Sequence, residues 1–166
     1  GGSLPKDAGA GASNINQNSM QAFEQQIATQ DYESAGCFDA SGELIFKKNG
    51  GANAVHFSDE DVAFMRGATL THNHPSGGPH SMDDYDIFLH ARMREIRAVG
   101  KEYTYILRAP DLYQYGGAGD VRYGIGIAQS MVRQSGVDTS DWREYNYQTS
   151  KVWAEMVGLV YERIQT

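Results

Sequence analysis

Two histidines separated by one residue, followed by a turn and then a serine and aspartates, are the residues best suited to chemistry. His72 and His74 precede a turn rich in glycine and proline, and Ser81 and Asp84 follow it. Residues i and i+2 of a strand project from the same face, so both imidazoles can point toward one centre. Two imidazoles and a carboxylate are a common ligand set for catalytic zinc, which leaves a further position for water. We therefore expect His72, His74 and Asp84 to bind Zn²⁺.

Catalysis at such a centre requires more than the metal ligands. A zinc-activated water attacking an amide also needs a base that accepts its proton and passes it to the leaving nitrogen. A glutamate from elsewhere in the fold must supply that base. Ser81, one helical turn before Asp84, can donate its hydroxyl to the oxyanion that develops on the attacked carbonyl.

The elements that must position these residues alternate between strands and helices. The pattern predicts an amphipathic helix over residues 19–29, a hairpin with arms 32–38 and 43–48, a short strand over 54–57, a helix over 58–66, a strand ending at the histidine pair, a helix over 81–99, a strand over 102–108 and a long covering helix from about 140 to the end. Short connections between alternating strands and helices predict an α/β fold around a small mixed sheet.

Two segments lack such patterns. Residues 1–18 contain mainly small and polar residues, which predicts a flexible lead-in or linker before one domain over residues 19–166. Residues 111–126 are rich in glycine and tyrosine and match no nucleotide-binding fingerprint, so we interpret them as a mobile flap. The chain begins with Gly1 rather than Met, so we expect an expression scar or a piece of a larger protein.

Composition excludes several classes of protein. Lys and Arg total 14 against 21 Asp and Glu, giving a net charge of −7, so we expect no nucleic-acid partner. No apolar run is long enough to span a membrane, which predicts a soluble protein, cytoplasmic or delivered as part of a larger one. Cys37 is the only cysteine. It excludes an internal disulfide, a zinc site built from cysteines and the cysteine ligand pair of zinc deaminases, and we expect it to fill core space.

The order of these residues resembles the signature of a known family. His72, His74 and Pro75, a short spacer, then Ser81 and Asp84 resemble the motif of the JAMM zinc metallopeptidases, also called the JAB or MPN+ domain. The Thr-His-Asn-His-Pro-Ser-Gly run at residues 71–77 is similar to the bacterial and phage RadC-like branch. The resemblance implies a JAB-like mixed sheet flanked by helices, with a cytidine-deaminase-like outline and one zinc. It also implies a protein or peptide substrate, ubiquitin-like proteins included.

The resemblance assigns roles to individual residues. His72, His74 and Asp84 match the zinc ligands, and Ser81 matches the serine that stabilises the tetrahedral intermediate. Five residues separate Pro75 from Ser81, one fewer than the family usually has. Asp83 therefore stays an alternative to Asp84 as the third ligand.

The catalytic glutamate of the family lies on an earlier strand and is commonly followed, after two residues, by glycine. Glu33 matches this pattern, since Ser34, Ala35 and Gly36 follow it. It is preferred over Glu43, which lies in the hairpin turn. The resemblance thus implies that Glu33 activates the water.

Two other functions are compatible with these residues, and other histidines lie near them in the sequence. The same residues fit a JAB-like module without peptidase activity, in DNA processing or scaffolding, and a bacterial or phage toxin-like effector acting on peptidoglycan or another substrate. His56, His80 and His90 are predicted to be surface or packing residues, with His80 alone near enough to replace a ligand. The aromatic residues near the end, Trp142 included, are interpreted as apolar packing.

Overall fold

Six strands form one mixed sheet in the computed structural model, which describes residues 19–110 and 120–166. They are β1 (Ser34–Phe38), β2 (Leu44–Asn49), β3 (Thr69–Asn73), β4 (Glu95–Val99), β5 (Tyr103–Arg108) and β6 (Val160–Gln165), in the order β2-β1-β3-β4-β5-β6. β3 and β4 run parallel, and the other neighbouring pairs run antiparallel. The predicted α/β class with a mixed sheet is confirmed.

Five helices flank this sheet in the described ranges. They are α1 (residues 19–27), α2 (Asp59–Met65), α3 (Met82–His90), α4 (Val121–Gln134) and α5 (Trp142–Val157). Glu24 of α1 accepts hydrogen bonds from Thr71 of β3 and Arg97 of β4, so α1 covers one face of the sheet. None of the described helices combines the length and the apolar character needed to cross a membrane.

The main core lies on the opposite face of the sheet. It is formed by alternate strand residues packed against α3, α4 and α5, and its most buried members include Leu70, Ile96, Ala98, Leu107, Phe88, Trp153 and Ala154. Burial of these apolar side chains is the main force that stabilises the layers. β3 lies in the interior of the sheet, between β1 and β4, so the residues at its end have fixed positions.

The predicted hairpin is confirmed, but the strand predicted over residues 54–57 is wrong. β1 pairs with β2, and the turn between them places Gly42 at a φ of 88°, a left-handed conformation that glycine adopts without strain. Residues 52–57 instead run irregularly toward Ser58, the N-cap of α2. This segment is partly exposed and forms one wall of a cleft.

The helix predicted over residues 81–99 is much shorter in the structure. α3 ends at His90, and Arg92 then adopts a left-handed φ of 54°, which turns the chain into β4. Ile96 and Ala98, both 0% exposed, lie on one face of that strand. The apolar residues of β4 happened to continue the helical spacing of α3, so periodicity alone did not reveal the boundary.

The flap predicted over residues 111–126 is wrong for its second half. Residues 111–119 lie outside the described residues, as does the predicted lead-in over residues 1–18. Asp120 then caps α4, which buries Val121, Ile125 and Ala128 at helical spacing. Gly124 suits this helix because a Cβ there would lie 2.9 Å from Trp153.

The covering helix is confirmed as α5, but the chain does not stay helical beyond it. Gly158 ends α5 with a left-handed φ of 82°, and β6 follows on the edge of the sheet next to β5. The helix packs through the face that carries Trp153, which is 0% exposed, whereas Met156 is 45% exposed.

Candidate metal centre

The two histidines converge at the end of β3. The strand pairs with β1 on one side and β4 on the other, and the backbone N–H of His74 donates to the carbonyl of Val99. These bonds fix the alternation of side chains that turns both rings to one face. The Nε2 atoms of His72 and His74 lie 2.9 Å apart. The predicted convergence of the two imidazoles is confirmed.

Asp84 brings a carboxylate to the same point. Its Oδ1 lies 3.2 Å from Nε2 of His72, and its Oδ2 lies 3.2 Å from Nε2 of His74. A capping box holds it there, because the Ser81 hydroxyl accepts from the Asp84 N–H and the Ser81 N–H donates to Oδ2. Asp83, the alternative ligand, immediately precedes Asp84 in α3 and is exposed.

Glu33 brings a second carboxylate to the centre. It directly precedes β1, is 5% exposed, and places Oε1 3.6 Å from Nε2 of His74. Its backbone is held on one side by Gly50 and Gly51, each through a hydrogen bond of 2.7 Å. Even without Asp84, the side chains of Glu33, His72 and His74 offer three ligand atoms within 4.8 Å of one another. The two histidines thus share their surroundings with two carboxylates.

The tautomer of His74 is set by the turn that follows it. Nδ1 of His74 lies 3.0 Å from the carbonyl oxygen of Gly78, which can only accept, so Nδ1 carries the proton. When the ring is neutral, the lone pair of Nε2 is therefore directed at the centre, as in metal-binding histidines whose other nitrogen donates to a carbonyl. Nδ1 of His72 is buried and lacks a hydrogen-bond partner among the described residues.

The electrostatics favour a bound cation. Burial would raise the pKa of Asp84, but the charges and hydrogen bonds of His72 and His74 hold it well below its usual value. Burial raises the pKa of Glu33, and the neighbouring histidines only partly oppose the increase. Burial lowers the pKa of His74, but its hydrogen bond to Asp84 and the nearby carboxylates raise it overall. Positive charge at this point is therefore stabilised.

The donor set fits zinc. Two ligand atoms on one tetrahedral zinc lie roughly 3.3 Å apart, given zinc–nitrogen distances near 2.05 Å. The separations among the His72, His74 and Asp84 atoms are 2.9 to 3.2 Å. Shifts of a few tenths of an ångström would suffice to hold the ion. Imidazole nitrogen also distinguishes this set from the all-oxygen sites that Mg²⁺ and Ca²⁺ prefer.

The centre lies in a cleft of about 600 Å³. Residues 52–57 form one wall, and Asp83, Asp86, Ile87 and His90 of α3 form the other. Ser81 and Trp142 also line it, and Trp142 is 47% exposed. A volume of this size accommodates several side chains of a bound molecule.

His80, predicted to be a surface or packing residue although near enough to replace a ligand, is used by the fold itself. Its Nε2 lies 2.9 Å from the carbonyl oxygen of Ile96, and its Nδ1 lies 2.8 Å from the Tyr161 hydroxyl. Nε2 must donate to the carbonyl, so Nδ1 accepts from the tyrosine. Burial lowers the pKa of His80 to about 3, which keeps the ring neutral. Neither ring nitrogen of His80 is available for a metal.

The remaining histidines and the cysteine behave as predicted. His56 and His90 are exposed, both at the rim of the cleft. Cys37 is 0% exposed in the core. Burial raises the pKa of its thiol to about 12, so the reactive thiolate does not form near neutral pH.

Residues after position 140 brace the turn that follows the histidines, and sequence reasoning missed this role. Arg143 donates to the carbonyl of Ser76 at 2.7 Å. A Cβ at Gly78 would lie 2.6 Å from the Trp142 ring, so only glycine allows this close approach. Trp142 was interpreted as packing, and the only sequence signal was the adjacent glycines at positions 77 and 78. The brace stabilises the turn whose carbonyl orients His74.

Comparison with protein-family models, curated proteins and solved structures gave no match to this chain.

Proposed function

We propose that this protein is a zinc-dependent hydrolase of the JAMM type that cleaves a peptide or isopeptide bond. The observation that supports the proposal most directly is the convergence of His72, His74, Asp84 and Glu33 on one point at the floor of an open cleft. His72, His74 and Asp84 would hold the ion. Bound zinc supplies a water of lowered pKa and polarises the carbonyl that is attacked.

Glu33 acts as the base in this proposal. Its carboxylate takes a proton from the attacking water and later delivers it to the leaving nitrogen. The position beside His74 suits that task, because Glu33 lies 3.6 Å from Nε2 of His74 and is not needed as a third ligand when Asp84 contacts both histidines. Burial raises the pKa of Glu33, which brings a carboxyl group closer to the range useful for proton transfer.

Ser81 stabilises the negative charge that develops on the attacked carbonyl. Its oxygen accepts from the Asp84 N–H and thereby leaves the hydroxyl proton free to be donated. Ser81 is exposed to the cleft, where it can donate to the oxyanion that forms on the scissile carbonyl. The same serine thus holds a ligand in place and stabilises developing negative charge.

The test combines metal content with hydrolysis. Zinc content is measured on purified wild-type protein and on His74→Ala, and we expect about one zinc per chain in the first and none in the second. Cleavage is measured with a peptide library, a linear ubiquitin-like fusion and a lysine-linked ubiquitin-like conjugate. Glu33→Gln is the matched control, because it preserves shape but removes the base. We expect it to retain zinc and lose turnover.

Two outcomes would favour other functions. Zinc binding without hydrolysis of any probe would favour a JAB-like module that acts in DNA processing or as a scaffold. Hydrolysis of peptidoglycan fragments, tested in parallel, with no cleavage of protein probes would favour a toxin-like effector. A wild-type protein without zinc would contradict the metal centre itself.

A further inference from the structure

Asn73, the residue between the two histidines, bonds the backbone on both sides of Glu33. Its Oδ1 accepts from the N–H of Ser34 at 2.7 Å, and its Nδ2 donates to the carbonyl of Tyr32 at 2.8 Å. The orientation of the amide follows from its partners, because a backbone N–H can only donate and a carbonyl can only accept. The side chain is 0% exposed. Both polar ends of this buried amide are therefore hydrogen-bonded to the residues that flank Glu33.

These bonds lie where the backbone pairing of β1 with β3 ends. The last register pair at this end is Ala35 with His72. Beyond it, the N–H of His74 donates to Val99 of β4, so it does not bond the Glu33 segment. The Asn73 side chain replaces the missing rung and joins the segment to β3. Short polar side chains often substitute for backbone partners in this way.

The other side of the segment is already fixed. The N–H of Glu33 donates to Gly51, and its carbonyl accepts from Gly50. Asn73 supplies the connection toward β3, the strand that ends at the histidines. The Glu33 carboxylate carried by this segment lies 3.6 Å from Nε2 of His74. A buried amide with both ends bonded also resists displacement, since breaking either bond leaves an unpaired polar group.

We propose that Asn73 is a positioning residue that holds the Glu33 carboxylate beside the metal centre by clamping the two adjoining peptide groups. The inference rests on the proposed function of Glu33 as the base. Asn73 would touch neither substrate nor metal. Its contribution is the placement of Glu33, and a misplacement of about 1 Å in a catalytic group can cost roughly 100-fold in rate.

Two variants test the clamp, and a third controls for loss of a buried polar group. Asn73→Leu removes both hydrogen bonds at similar volume. Asn73→Asp keeps the acceptor for Ser34 but places an oxygen against the Tyr32 carbonyl. Thr104→Val, in β5, removes a buried hydroxyl that bonds Thr166 at 3.0 Å, away from the histidines.

The first readout does not depend on activity. Crystal structures of the zinc-loaded variants should show the Glu33 carboxylate displaced from His74 in both Asn73 variants, with the three proposed ligands in place. Amide hydrogen exchange at Ser34 should rise about 10-fold in Asn73→Leu, the factor equivalent to one hydrogen bond. Thr104→Val should leave both quantities unchanged. Glu33 in its original place, with Ser34 still protected in Asn73→Leu, would overturn the proposal.

The second readout is kinetic and uses whichever peptide or ubiquitin-like probe the wild-type protein cleaves. In Asn73→Leu, kcat should fall about 10- to 100-fold while KM and zinc content stay constant. Adding Asn73→Leu to Glu33→Gln should cause no further loss, because Asn73 acts only through Glu33. An equal additional loss in that background would contradict the clamp.

Failure of the proposed function can be told apart from failure of this inference. If the wild-type protein binds zinc but cleaves no probe, the hydrolase proposal fails, while displacement of Glu33 and exchange at Ser34 still decide the role of Asn73. If Asn73→Leu does not fold, the same displacement is measured in Asn73→Asp, which preserves the shape of the side chain.

Discussion

The first turns of α2 and α3 are built alike but lie in different surroundings. Ser58 and Asp61 form a capping box at α2, with hydrogen bonds of 2.9 and 3.1 Å. Ser81 and Asp84 form the same box at α3, with hydrogen bonds of 2.8 and 3.2 Å. The Asp61 carboxylate contacts Lys48 near the surface, whereas that of Asp84 faces the buried His72 and the largely buried His74.

The difference teaches that one local motif can serve either structure or chemistry. In both helices the box satisfies free backbone N–H groups, which stabilises the first turn. Of these two helices, only α3 has a capping-box carboxylate whose oxygens also lie close to histidine nitrogens that could bind the same metal ion. The two helices therefore supply matched controls for each other.

The largest difference in zinc affinity is expected between the variants that lack one or the other capping-box aspartate. Asp84→Ala should weaken zinc binding by at least about 100-fold, more than loss of a residue outside the ligand shell usually costs. Asp61→Ala should leave zinc affinity unchanged. Isothermal titration with Zn²⁺ measures both. Equal affinities in the two variants would remove the functional distinction between the helices.

The serines should separate the structural role from the catalytic one. Ser81→Ala and Ser58→Ala should each lower the free energy of unfolding by about 1 kcal/mol through loss of an N-cap. Only Ser81→Ala should also reduce kcat, by about 100- to 1000-fold, the usual cost of losing an oxyanion donor. Chemical denaturation and steady-state kinetics provide the two measurements. A normal kcat in Ser81→Ala would restrict this serine to capping.

Zinc itself should stabilise one of the two helices directly. At free zinc 100 times the dissociation constant, the free energy of unfolding should rise by about 2.7 kcal/mol. Amide exchange should slow in the first turn of α3 and change little in the first turn of α2 beyond the global effect. Chelation should reverse both changes. Equal protection of the two turns would indicate that the ion does not bind through Asp84.

The smallest effect is expected at the Lys48–Asp61 pair. Lys48→Met should destabilise the protein by less than about 1 kcal/mol, and less at high salt, since the pair is partly exposed.

The hydrogen bond from Lys48 and those from Ser58 lower the pKa of Asp61. Its contribution is therefore present above the ordinary carboxyl pKa and disappears as pH falls through the lower folded value. Chemical denaturation between pH 6 and about 2 should show that the free energy of unfolding falls less steeply with decreasing pH in Asp61→Asn than in the wild-type protein.

The sequence allowed prediction of features that depend on neighbouring residues. The alternation at His72 and His74, the capping box at Ser81 and the hairpin all follow from spacing over a few residues. The proximity of Glu33 to His74 was expected only from the family resemblance. Its physical basis is the pairing of β1 with β3, which joins segments about 40 residues apart, as the Asn73 bonds illustrate.

Boundaries and long-range supports could not be predicted in the same way. The end of α3 was missed because the apolar residues of β4 continued its helical spacing, and tertiary pairing decided their conformation. No helix was predicted over α4, whose first turns were assigned to the flap because glycine disfavours helix, although Gly124 is required by the close approach of Trp153. Support of the histidine turn by Arg143 depends on contacts over 67 residues, for which no local pattern exists.

The bracing of that turn has a consequence for synthesis of the protein. Glu33, His72, His74 and Asp84 leave the ribosome well before Trp142, Arg143 and Tyr161, which contact the turn after the histidines. A nascent chain that ends before α5 therefore carries all four side chains but lacks the contacts that fix Gly78 and His80. Because domains generally fold as units during translation, the centre matures only after the last helix and strand have emerged. An ion at the proposed centre would therefore be bound stably only once the surrounding fold is complete.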